Sequence, residues 1–144
     1  KVEAMTGNNL ASLQPDGTGA IWILGDGAGK PGLGNSPGWS PGKGICLAPV
    51  GDKKFQVSLV AGTNIDSGSI NFKFFHQNDW GGEYKHTTLS SQSDIIFVGN
   101  GSNGRDSGNL GIVEGKTLEA GATYVLVVDV SAGIDQAVLT VTKK

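Results

Sequence analysis

Hydrophobic positions in this chain come in short runs separated by glycine-rich and polar turns. Ala20-Ile21-Trp22-Ile23-Leu24 is a continuous apolar run stopped by Gly25-Asp26-Gly27, the pattern of a buried strand. Residues 45–50 predict a strand, with Pro49 marking an edge or a strand end because proline cannot donate to a ladder. After the Gly51-Asp52 turn, residues 54–60 alternate, placing Phe55, Val57 and Leu59 inward; the two runs predict a hairpin. Residues 70–74 alternate again, with Lys73 pointing away from the side that takes Phe72 and Phe74. Residues 94–98, 123–130 and 136–142 predict three more strands, and the apolar character of 123–130 on both faces makes it central. Residues 1–18 are polar and read as a linker or, at 1–5, as a first strand.

These runs predict an all-β fold, an antiparallel β-sandwich of about seven to eight strands in one domain spanning 1–144. The 144 residues suit one hydrophobic core, and 24 glycines, clustered in loops, leave little room for stable helix. A net charge of −2 with scattered basic residues argues against nucleic acid as a partner. No apolar run approaches the roughly 20 residues of a membrane span. The chain begins at Lys1 and shows no signal peptide, as expected of a processed or trimmed chain. Cys46, the sole cysteine, alternates with Ile45 and Leu47 and reads as a small core residue rather than a reactive thiol.

The candidate chemistry lies in loops. Trp39 sits between Ser36-Pro37-Gly38 and Ser40-Pro41-Gly42, and Trp80 between Asn78-Asp79 and Gly81-Gly82. A large ring in a surface loop offers contact area at little entropic cost, and the apolar C–H face of a sugar matches it. The competing reading is a pair of plugs covering one end of the core. Trp22, inside a strand, reads as core. Around Trp80, the side chains of Lys73, His76, Gln77, Asn78, Asp79, Glu83 and Lys85 can serve sugar hydroxyls, and Tyr84 reads as a third platform or a donor.

Enzymatic and metal patterns are weak. His76, Asp79, Glu83 and His86 lie close in sequence without a metal motif, and an Asp79/Glu83 hydrolytic pair has no readable separation. Gly25 to Lys30 lacks the Ser or Thr of a phosphate loop, and Arg105 occupies a ligand position of an EF-hand alignment over 103–114. The expectation is a noncatalytic domain without cofactor or metal. A looser calcium site on Asn100, Asn103, Asp106 or Asn109 competes with the reading that these side chains fix a glycine-rich turn.

Three segments carry a family resemblance. They are Ile21-Trp22-Ile23-Leu24-Gly25-Asp26 followed by Gly38-Trp39, then Phe72-Lys73-Phe74 running into Asn78-Asp79-Trp80-Gly81, and Gly108-Asn109-Leu110 ahead of Tyr124-Val125-Leu126-Val127-Val128-Asp129. In that order the chain resembles one module of the SusE/SusF-like surface glycan-binding lipoproteins of gut Bacteroidetes. The resemblance implies an immunoglobulin-like sandwich, lipid-anchored at the outer face of the outer membrane in its parent protein. It implies noncatalytic capture of a neutral glycan for an outer-membrane glycan transporter complex, or a spacer that binds nothing. It carries over Trp39, Trp80 and Lys73 as site residues, with Asp79, Tyr84 and Lys85 beside them. The long insertion at 25–44 and the loop at 100–109 depart from that family, so starch is not implied as the ligand.

Overall fold

Each apolar run becomes a strand. The computed structural model describes residues 12–144. In chain order its elements are β1 (Ile21–Asp26), one turn of 3-10 helix (Leu33–Asn35), β2 (Ile45–Pro49), β3 (Lys54–Val60), β4 (Asn71–Phe75), β5 (Leu89–Ser91), β6 (Ile96–Val98), β7 (Leu110–Ile112), β8 (Thr123–Asp129) and β9 (Ala137–Lys143). No α-helix occurs among the described residues. The strand suggested at residues 1–5 lies outside them. Residues 12–18 belong to the fold: Leu13 is buried in the core, and its N–H donates to the His76 carbonyl at 2.8 Å.

The all-β class holds, with nine strands among the described residues in one sheet ordered β5-β9-β8-β3-β2-β1-β4-β7-β6. The sheet is mixed rather than wholly antiparallel, because β5 runs parallel to β9. No hairpin joins these two distant segments, so nothing local imposes the antiparallel direction. β8 lies between β3 and β9, as its two apolar faces require.

β2 is shared by two halves of the sheet. Ile45, Cys46 and Leu47 pair with β1, whereas Ala48 and Pro49 pair with β3. The far edges approach again where β5 leads into β6, and Ser91 Oγ donates to the Ile96 carbonyl at 2.7 Å. The sheet is thereby nearly closed into a barrel. Ile23, Leu47, Phe55, Phe74, Leu126 and Leu139 fill its interior from both halves.

Candidate binding face

β1 and β4 bury both of their faces. Alternation places Ile21, Ile23, Phe72 and Phe74 in the interior and turns Trp22, Leu24, Lys73 and Phe75 outward. Register pairs Trp22 with Phe75 and Leu24 with Lys73. All four are nonetheless buried, because two loops lie over them. Trp80 meets Phe75 edge-on, with ring centroids 6.0 Å apart and planes at 66°. Glu83 Oε2 accepts from Lys73 Nζ at 3.2 Å. The Gly44 backbone passes so close that a Cβ there would stand 3.0 Å from Trp22 Cβ.

Asn78 joins the two loops. Its Oδ1 accepts from the Gly44 N–H at 2.9 Å, and its Nδ2 donates to the Gly42 carbonyl at 3.2 Å. The turns that carry Trp39 and Trp80 are therefore neighbours. The Trp39 turn starts from β1, where the Gly25 N–H donates to the Gly38 carbonyl at 2.6 Å, and closes through Lys43 N–H to the Ser40 carbonyl at 3.3 Å. In the Trp80 turn, Asp79 Oδ1 accepts from the Trp80 N–H at 2.7 Å and Gln77 Nε2 donates to the Trp80 carbonyl.

Exposure sorts the candidates. Trp80 is 50% exposed, while Trp39 is half-buried. Asp79 and Lys85 are exposed, and Lys85 Nζ stands 3.7 Å from Glu83 Oε1. Lys73 is 9% exposed and spends its ammonium on Glu83 beneath the loop. Removing Glu83 leaves that cation short of its partner. Glu83→Ala is expected to lower stability by about 1–3 kcal/mol in denaturant melts, and an unchanged midpoint would show that the pair does not hold the loop.

Tyr84 corrects the sequence reading. Its side chain is 0% exposed, so it offers no solvent-facing platform. It packs against His76 with ring centroids 4.5 Å apart, and Gly108 closes over its backbone. Gly108 has φ +91°, and any Cβ there would fall 1.9 Å from the Tyr84 carbonyl oxygen, so only glycine permits this approach. The Tyr84 hydroxyl is buried without a hydrogen-bond partner. Tyr84→Phe should therefore raise stability by about 1 kcal/mol; a lower melting temperature would mean that the hydroxyl is satisfied after all. Burial, reinforced by the Asp135 carboxylate, pushes the phenol far above its ordinary value. The folded state thus holds this proton more tightly than the unfolded chain. Its contribution to stability should be complete below about pH 10 and fall as the pH rises further. Phenolate absorbance from Tyr84 is expected only with unfolding.

The remaining polar groups near Trp80 are dispersed. His76 lies against Tyr84, where burial lowers its pKa, and His86 Nδ1 meets Ser107 Oγ at 2.7 Å. Among the described residues no three His, Cys, Asp or Glu side chains converge as a metal set. In the 99–109 loop, Asn103 Oδ1 accepts from the Asn100 N–H at 2.9 Å and Asn100 Oδ1 from the Ser102 N–H at 2.8 Å, so both amides serve the turn. Cys46 is half-buried across the ladder from Trp22, and burial raises its thiol pKa.

Fold and face together define an all-β domain carrying a loop-built aromatic and polar surface over β1 and β4. The chain belongs to the family described as a domain of unknown function (DUF5121), which matches residues 16–131. No curated protein and no solved structure matches it. Among the described residues no helix is long and apolar enough to cross a membrane.

Proposed function

We propose that this domain is a noncatalytic carbohydrate-binding module that holds a neutral glycan against Trp80. The observation that carries the proposal is the half-exposed Trp80 ring, braced against Phe75 and tied through Asn78 to the turn of Trp39. A ring fixed before binding loses little entropy when a sugar face packs on it. Exposed Asp79 and Lys85 flank it and can serve hydroxyls, with Lys73 holding Glu83, the partner of Lys85, from below. On the SusE/SusF-like resemblance the parent protein is a lipid-anchored protein of the outer-membrane surface that captures glycan for an uptake complex.

Single-site affinity is expected to be micromolar to millimolar, or about −4 to −8 kcal/mol. Several modules on one surface would add avidity. The test incubates the domain with a panel of polysaccharides and measures both retention and release of reducing sugar. Retention by at least one neutral glycan with no sugar released supports the proposal. Sugar release that Glu83→Gln or Asp79→Asn abolishes would replace it with a hydrolase.

A second reading is a structural or protein-interaction domain of a surface assembly. The half-buried Trp39 and the exposed Val50, at 43%, favour it. It predicts no retention by any glycan.

A further inference from the structure

The covered face of β4 continues into an open polar cleft. Phe75, beneath Trp80, and Asn71 stand on the same face of β4, four residues or about 13 Å apart. Between them Lys73 and Glu83 close the surface. Beyond that pair lies a cleft of about 250 Å³ lined by Asn71, Gly101, Gly104, Arg105, Asp106 and Asn109.

This cleft is built before any ligand arrives. Asn109 is 6% exposed, and its Nδ2 donates to Asn71 Oδ1 at 2.9 Å, which fixes both amides. Arg105 is anchored by Nη2 to the Ile70 carbonyl and by Nη1 to the Gly104 carbonyl, each at 3.0 Å. A guanidinium so held keeps further N–H groups to donate. Asp106 lines the same cleft, yet among the described residues no ion pair joins it to Arg105 or to any other cation. A cation, a carboxylate and two fixed amides thus surround one space without neutralising each other.

We infer that this cleft is a second sugar subsite, which takes the vicinal hydroxyls of a neutral pyranose. The carboxylate of Asp106 accepts from two hydroxyls, while Arg105 and the Asn71 amide donate to their oxygens. Asp26, exposed and paired with Asn71 across the ladder, adds a second carboxylate on that side. Asp106 in the cleft and Asp26 beside it outnumber the one guanidinium of Arg105, a balance that disfavours a uronic acid against a neutral sugar. The inference rests on the glycan-binding reading and extends it: one chain would span from Trp80 to Asp106, so oligosaccharides should outbind single sugars.

The test is an amide-resolved NMR titration of the whole domain. The probes are methyl glucoside, galactoside, mannoside and xyloside, with glucuronate and galacturonate as acidic counterparts. The inference expects the Gly101, Gly104 and Asn109 signals to move with at least one neutral glycoside and to stay still with the uronates. Asp106→Ala and Asp106→Asn, altering an exposed and unpaired side chain, should each weaken that response about tenfold, whereas Trp80→Ala should leave it intact. Cleft signals that stay silent with every neutral glycoside overturn the inference, whatever Trp80 does. So does a stronger response to a uronate, or one indifferent to Asp106. A moving Trp80 indole beside a silent cleft would leave the proposed function standing without the subsite. A moving cleft beside an indifferent Trp80 would keep the subsite and remove the aromatic platform.

Discussion

Trp22→Ala is expected to destabilise the domain by about 3–5 kcal/mol, lowering the melting temperature by roughly 10–20 °C. Trp22 looks outward from β1, away from the main interior. It is only 1% exposed, however, with Phe75 beside it in the ladder and Gly44 pressed against its Cβ. Truncation would leave a cavity beneath the two loops, and neither can collapse into it freely because Asn78 holds them together. Thermal melts followed by circular dichroism give the result. A shift of only a few degrees would mean that the loops relax readily and that the face is not preformed.

Trp80→Ala should do the reverse, costing little stability and much affinity. Its ring is half solvated, and the edge-on contact with Phe75 contributes about 1 kcal/mol. A central aromatic in a small binding surface carries about 2 kcal/mol or more of the binding energy. The dissociation constant for a retained glycan should therefore rise about 30-fold, as read by titration calorimetry on a variant that still melts cooperatively. A large loss of stability with unchanged affinity would make Trp80 a plug over Phe75.

The contrast between the two tryptophans shows what local pattern conveys. Period-two alternation placed 54–60 at the bounds of β3, and the doubly apolar run from Thr123 placed β8 inside the sheet, between β3 and β9. β5 and β7 escape such reading. Leu89-Ser90-Ser91 has no alternation, and Leu110-Gly111-Ile112 lies inside a glycine-rich stretch. Both are strands because β9, β4 and β6 offer them ladder partners.

The candidate site is legible to the same degree. A tryptophan among glycines and polar residues signals an exposed ring, and Trp80 is one. Tyr84, four positions on, shares that setting but is drawn under Gly108 by a contact between distant loops. Asn78 resembles any polar loop residue until its two bonds to the Trp39 turn are seen. Asn109 reads as a turn or calcium-site residue and Arg105 only as a mismatch to an EF-hand, because their partners, Asn71 and Ile70, lie far back in the chain.

The most direct test of glycan binding on this face is native affinity electrophoresis through gels cast with different soluble polysaccharides, running the parent domain beside Trp39→Ala and Trp80→Ala. The account predicts retardation of the parent by at least one neutral glycan and loss of that retardation in Trp80→Ala, with Trp39→Ala weakened. Retardation equal in all three proteins, or absent with every glycan, would contradict it.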